Sequence, residues 1–200
     1  MRRVTIASVV EGHGEVAALP ILLRRIAGEL VDPLVHVTVT TPHRLPSQQM
    51  RDPARLNPVL RVQAARISGA GGVLLLRDGD DKGIDCPVRL AEDLREAAGT
   101  VAARVEVVIA RHEFESWLLA GIDSLRDHPV VRSDAMAPSD PEGRRGAAEM
   151  LQAQLTESYK KTLHPAKFCA LIDLVAVYER SRSFRRMVHA VDLLMSTEER

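Results

Sequence analysis

Four short apolar runs, near Val4–Val10, Leu34–Thr40, Gly72–Arg77 and Arg104–Ala110, alternate with longer stretches whose apolar residues recur every three or four positions. The short runs are rich in Val, Ile and Leu with few charges, which predicts strands covered on both faces. The longer ones, Val16–Leu30, about Ala54–Ser68 and Val88–Ala98, predict crossover helices, and strand alternating with helix is the pattern of a parallel α/β sheet. Pro20 is expected in or near the first turn of its helix, where its missing N–H does no harm, and Gly28 where the helix frays. Pro42–Pro53, with Arg44, Pro46 and two glutamines, is expected to be a loop without regular structure, free to act as a flap. After Trp117 the pattern changes: residues 124–141 carry Pro129, Pro138 and Pro141, and then Glu142–Thr156, Phe168–Arg180 and Phe184–Met195 predict helices with no further strand. The expected architecture is one α/β domain, a mainly parallel four-stranded sheet flanked by helices (1–122) with a helical C-terminal extension (123–200) packed on it.

Composition narrows the function classes. A chain of 200 residues, 46% hydrophobic and 27% charged, has enough length for one well-filled core. Basic and acidic residues balance at 27 each, so nucleic acid is not bound through an overall basic surface and any such binding needs a local patch. Arg180, Arg182, Arg185 and Arg186 are the candidates for that patch. Aromatic content of 3% argues against a base-stacking platform. Cys86 and Cys169 form no CxxC or Cys/His cluster, which excludes a zinc module or disulfide scaffold and fits a reducing cytoplasm. The N-terminal run is interrupted by Thr5 and Ser8 and ends at Glu11, a poor signal peptide, and no apolar stretch approaches the roughly 20 residues that would span a bilayer.

The chemistry lies at the predicted strand ends. The first strand runs into Glu11-Gly12-His13-Gly14-Glu15, the third into Asp78-Gly79-Asp80-Asp81, and the fourth into His112-Glu113-Phe114-Glu115. In a parallel sheet these ends share one edge, and a strand order of 2-1-3-4 places Glu11 and Asp78 across the crevice where open α/β sheets bind ligands. Carboxylates brought together repel one another unless a cation or retained protons relieve them. Hard oxygen donors favour Mg²⁺ or Mn²⁺, which leaves coordination positions for water and phosphate oxygens and so suits phosphoryl chemistry. Each acid also has a plainer use: Glu15 at a helix N-terminus, Asp80, Asp81 and Asp85 as a solvated loop, His13 and His112 as turn residues. Competing motifs fail on inspection. Asp78–Gly83 begins like an EF-hand loop, but Lys82 and Arg89 stand where acid ligands are required, and neither a Walker A sequence, a complete dinucleotide fingerprint nor a nucleophile elbow is present.

A glutamate after strand one and Asp-x-Asp after strand three resemble the Toprim fold of primases, topoisomerases and the nuclease domains of overcoming-lysogenization-defect (OLD) proteins. The likeness is closer still to a bacterial Toprim-like family of unknown function, through Val10–Glu15, Asp78–Asp81, Glu113–Leu119 and Tyr159–Lys161, in order along nearly the whole chain. The resemblance implies Mg²⁺- or Mn²⁺-dependent cleavage of phosphodiester bonds in DNA or RNA. By motif, Glu11 is implied as metal ligand or general acid/base, Glu15, Asp78, Asp80 and Glu115 as metal ligands, and Lys160 or Lys161, then Lys167, as the cation that stabilises the transition state. The chain has four lysines against 23 arginines, which singles out the Lys160–Lys161 pair, although a solvated helix end would explain it equally. The resemblance also implies a cytoplasmic effector beside a separate ATPase in defence against phage. His13 departs from the small or proline residue usual at that point, and no ATPase motif accompanies the domain. Two other functions stay open on the sequence: a Toprim fold kept as a binding or scaffold module, and a phosphoacceptor receiver domain, which would need a lysine on a fifth strand.

Overall fold

In a computed structural model, which describes residues 2–80, 86–99 and 101–196, the four apolar runs become β1 (Arg2–Val10), β2 (Val35–Val39), β4 (Ala70–Asp78) and β5 (Arg104–Ala110). A further two-residue strand, β3 (His43–Arg44), makes the sheet five-stranded by pairing with the end of β1. All pairings are parallel and the main order is β2-β1-β4-β5, the α/β class and order that the strand-end acids and the Toprim resemblance lead one to expect. Side-chain alternation divides the core in two. Ala7, Val9, Val73, Leu75, Val107 and Ile109 face α3 (Pro53–Ala64) and α4 (Pro87–Ala98). Val4, Ile6, Val10, Leu74, Leu76 and Val108 face α1 (His13–Ile26) and the C-terminal helices. Both faces are covered, which is why these strands read as continuous apolar runs.

Four expectations need correction. The predicted Glu142–Thr156 helix is only Ala147–Ala153, and Glu142 lies before it. The first helix begins at His13, so Pro20 lies well inside it and not in its first turn. The N–H lost there is outweighed by Leu19, Leu22, Leu23 and Ile26, which the helix buries on the sheet. The 42–53 segment is not irregular: it contains β3 and then α2 (Ser47–Met50), anchored by the buried side chains of Leu45 and Met50. The predicted Phe168–Arg180 helix is two, α7 (His164–Leu171) and α8 (Leu174–Arg180), because the Asp173 carboxylate accepts from the N–H groups of Val175 and Ala176 and starts a new helix.

The C-terminal helices share the α1-side core. Trp117 of α5 (Glu115–Ala120) packs against Phe114 and Phe184, with ring centroids 5.3 and 5.5 Å away, and its indole N–H donates to Ser183 Oγ at 2.7 Å. Ser183 belongs to α9 (Arg182–Met195), which packs on β4 and β5. The buried Glu142 carboxylate holds the start of α9: it accepts from the Ser181 hydroxyl, from the N–H groups of Arg182 and Ser183, and from the Ser183 hydroxyl in a short contact. Among the described residues no helix is long and apolar enough to cross a membrane.

At Gly71 the backbone has φ +133°, and a Cβ there would collide with the carbonyl oxygen of Thr5 on β1, so only glycine permits the β1–β4 approach. Two outcomes are expected. Glu142→Ala should lower unfolding free energy in urea by about 2–4 kcal/mol at constant m value, since it strands buried donors at a helix start; a loss under ~0.5 kcal/mol would refute the capping role. Gly71→Ala should give little soluble protein, and wild-type yield and melting would contradict the close approach.

Candidate functional site: an acidic crevice between two strand ends

The chain winds to β2 on one side of β1 and returns to β4 on the other, so a crevice opens where β1 and β4 end. Val10 is in register with Leu76, which puts Glu11, the next residue after β1, beside Asp78, the last of β4. Glu11 Oε2 accepts the Asp78 N–H at 3.3 Å and lies 3.6 Å from the Arg77 guanidinium, whose side chain is fully buried. Ser47 of α2 also hydrogen-bonds the Glu11 carboxyl, so a residue of the segment expected to be irregular reaches the site. Asp78 Oδ1 accepts the Phe114 N–H at 2.8 Å, tying the end of β4 to the turn before α5.

Glu15 and Glu115 complete the group. Glu15 is buried in the first turn of α1. Its Oε2 has no hydrogen-bond partner among the described residues. Glu115 is buried at the start of α5, where its Oε1 accepts from the Tyr159 hydroxyl at 3.2 Å and stands 4.0 Å from Lys161 Nζ. The Tyr159–Lys161 segment can reach α1 because residue 14 is glycine: a Cβ there would strike the Lys161 carbonyl oxygen.

Electrostatics shows how close these acids are. Burial pushes the Asp78 carboxyl well above the usual range, and the charges of Glu15, Glu115 and Glu11 push it further. Burial also raises Glu15 to about 7, with Glu115 and Glu11 adding to the rise while backbone N–H groups oppose it. The Glu11 carboxyl is raised mainly by burial; Ser47, Arg77 and the Asp78 N–H lower it, and the negative charge of Asp80 adds a little. Burial and the Glu115 charge raise the Tyr159 phenol, so it stays a hydrogen-bond donor.

The predicted set is therefore only partly assembled. Glu11, Glu15, Asp78 and Glu115 interact with one another; Asp80 is exposed at the margin, near enough for its charge to reach Glu11. Lys161 approaches Glu115, whereas Lys160 is exposed and its contact is a backbone N–H to His164 Nδ1 at 3.1 Å. Glu113 is turned away to accept the N–H groups of Gly146 and Ala148 at the start of α6 (Ala147–Ala153). Asp81, Lys82 and Asp85 lie outside the described residues. Arg77, Ser47 and Tyr159 are contributors that sequence reasoning missed. A charged residue closing the apolar run Val73–Leu76 was the available signal for Arg77; Ser47 carried none. His112, expected as a turn residue, has φ +65° and a buried Nδ1, and its carbonyl accepts the Gly79 N–H, so it forms the wall beside Asp78.

The donor set suits a hard divalent cation: of its four carboxylates, Glu15 has an orphaned buried oxygen, and the charges of the others raise Glu15 and Asp78. Among the described residues no three His, Cys, Asp or Glu side chains form a ready-made metal cage. Asp78 Oδ1 accepts a backbone N–H, and Glu11 Oε2 is engaged by a backbone N–H and Arg77.

Glu15 titrates near 7 in the folded chain against an ordinary value of 4.5, so between those values the folded state keeps a proton that the unfolded state has lost. Its contribution to stability therefore falls as pH rises through that window and remains unfavourable above it. In chelator, Glu15→Gln should gain on the order of 1–3 kcal/mol over wild type between pH 4.5 and pH 8 in urea unfolding. A wild-type-minus-variant difference flat with pH would show that the carboxyl is not perturbed.

Solved structures similar to this chain include the C-terminal region of the OLD protein of Burkholderia pseudomallei, 13% identical over 96% of this chain and 98% of that one, with TM-score 0.44. The C-terminal region of the OLD protein of Xanthomonas campestris pv. campestris is 16% identical over 95% of each chain, with TM-score 0.39. No curated protein matches the sequence. A family model, described as a domain of unknown function (DUF4276), matches residues 10–192. That span takes in the crevice acids, the Tyr159–Lys161 segment and nearly all of α9, and the chain belongs to this family.

Proposed function

We propose that the acidic crevice is the centre of a divalent-metal-dependent phosphodiesterase acting on nucleic acid. The observation that carries the reading is the convergence of Glu11 after β1, Glu15 of α1, Asp78 of β4 and Glu115 of α5 into one crevice, where Glu11 and Glu115 oppose the ionisation of Glu15 and all three oppose that of Asp78. A cation relieves that cost. Mg²⁺ and Mn²⁺ need only one or two protein carboxylates and take water and phosphate oxygens for the rest, so an unclosed carboxylate set is compatible with them. When bound, such an ion supplies charge neutralisation at a phosphate and acidifies a coordinated water.

The protein's own groups then divide the work. Asp78, Glu15 and Glu115 would hold the ion, with Asp80 at the margin. Glu11, oriented by Arg77, Ser47 and the Asp78 N–H, accepts the proton of the attacking water. Lys161, 4.0 Å from Glu115, supplies positive charge to the phosphorane as the P–O bond breaks, with Lys160 as the neighbouring alternative. Tyr159 holds Glu115 in place. In the setting implied by the Toprim resemblance, the chain is the effector of a phage-defence system beside a separate ATPase.

One observation favours a second reading, a binding module without turnover: the raised Asp78 and Glu15 carboxyls let the crevice satisfy itself with protons, and no three-ligand cage is preformed among the described residues. The receiver alternative lacks its fifth-strand lysine among the described residues, which hold no strand beyond β5.

Purified protein is expected to nick or cut DNA or RNA with Mg²⁺ or Mn²⁺, and Glu11→Ala and Asp78→Ala should each reduce the rate about 100-fold or more. Mn²⁺ should raise the melting temperature of wild type but not of Asp78→Ala. Cutting that survives both substitutions would overturn the assignment; a Mn²⁺ shift that depends on Asp78, without cutting of any nucleic acid, would establish the binding-module reading.

A further inference from the structure

A second cavity lies on the outer edge of the sheet. β5 is an edge strand, with α4 packed on one of its faces and α9 on the other, and between the starts of these helices is a groove of about 510 Å³. Its floor is aliphatic: Val107 and Ile109 of β5, Ala91 of α4, and Val88, which is 62% exposed. Its rim is basic. Arg95, Arg111, Arg182 and Arg186 all line it, and among the described residues none of these guanidinium groups makes a hydrogen bond or ion pair. Among the described residues the one carboxylate in the lining, Glu142, is already engaged by the Ser181 and Ser183 hydroxyls and the first N–H groups of α9. In a chain of zero formal net charge, four unpaired arginines around one apolar groove are a concentrated positive field.

The groove also revises the basic patch read from the sequence. Arg180 is spent internally on Asp123 and the Ala120 carbonyl, and Arg185 on the carbonyls of Tyr178 and Glu179. Only Arg182 and Arg186, one helical turn apart on α9, reach the groove, where Arg95 and Arg111 join them from other elements. The groove begins beside the acidic crevice: Asp78 pairs with Ala110, and Arg111 is the next residue.

We propose that this groove seats an unpaired stretch of a nucleic-acid strand, with phosphates on Arg182, Arg186, Arg95 and Arg111 and a base against the aliphatic lining, chiefly the exposed Val88. The nuclease reading of the crevice is used only for the identity of the ligand. Arginine forks match phosphate oxygens bidentately, which a bare apolar ligand would not use. The cavity lies within the roughly 300–1,000 Å³ class of sites that enclose a small organic group, so it takes a base or nucleotide and not a helix. In a duplex the bases are stacked inside the phosphates, and a base reaches a floor set below the arginines only when it is unpaired. Among the described residues the lining has no aromatic side chain, so the base contact is aliphatic and sequence-tolerant.

The test is fluorescence anisotropy of a short labelled single-stranded oligonucleotide in chelator, so that the carboxylates and cleavage play no part. Arg182→Glu/Arg186→Glu should weaken binding about tenfold or more at low salt and flatten the slope of log K against log salt by roughly 1.4, the value for two phosphate contacts on a single strand. Arg55→Glu/Arg61→Glu on α3 makes the same change in net charge at exposed positions outside the lining and should shift affinity under about threefold. Both variants should melt like wild type. Bound oligonucleotide should also slow alkylation of Cys86, the exposed thiol of the lining, while Cys169, buried and pushed up to about 12, stays unreactive throughout. The proposal is overturned if the α9 variant binds like wild type or the α3 variant, if Cys86 reacts at the same rate with and without oligonucleotide, or if a blunt duplex of the same sequence binds as tightly as the single strand. Groove binding without cleavage would remove the nuclease reading and leave the groove standing; cleavage with unaltered binding by the α9 variant would do the reverse.

Discussion

Carboxylates held together away from bulk water repel one another, and the described fold is arranged so that four of them must be. β1 and β4 run parallel in fixed register, and each ends in an acid, Glu11 or Asp78. Once those strands are paired, the two carboxyl groups cannot avoid sharing the crevice. α1 begins two residues after Glu11 and carries Glu15 inward in its first turn, and α5 brings Glu115 from the other side. The penalty appears as the raised Glu15 and Asp78 carboxyls. A protein whose acids served only to cap helices would not gather them in this way: Glu113 and Glu142 do cap helices, and each carboxylate is taken up by the N–H groups at a helix start.

The C-terminal helices do more than enlarge the core. They return a cation and a phenol to the crevice, Lys161 and Tyr159, through a backbone contact that tolerates no side chain at Gly14. They also place α9 along β5, leaving a basic groove that starts one residue from the strand partner of Asp78. In the proposed function, acid at the strand ends and unpaired arginine at the sheet edge would be the two complementary halves of a phosphate-handling surface. Neither depends on net charge, which is zero.

Much of the framework was legible beforehand. Strands buried on both faces must be apolar throughout, so four of them stood out, and the parallel order followed from the helices between them. Less legible were features created by contact between distant segments. Pro20 lies inside α1 because tertiary packing outweighs one missing hydrogen bond, and the 42–53 segment is ordered because Leu45 and Met50 find a core that their neighbours in sequence do not announce. Of the arginine patch, Arg180 and Arg185 were lost to partners that only folding supplies, while Arg95 and Arg111 joined from positions with no local signal.

Local sequence was sufficient to establish the α/β class, the strand-end acids and the crevice they line, since periodicity and residue type depend on the chain alone. Tertiary structure determined which acids feel one another's charge, that Glu113 is diverted to a helix start while Glu115 is not, that Arg77 and Ser47 orient Glu11, and which arginines remain unpaired. The physical reason is that ionisation and pairing are set by neighbours within a few ångströms in space, and those neighbours come from residues tens to more than a hundred positions apart in the chain.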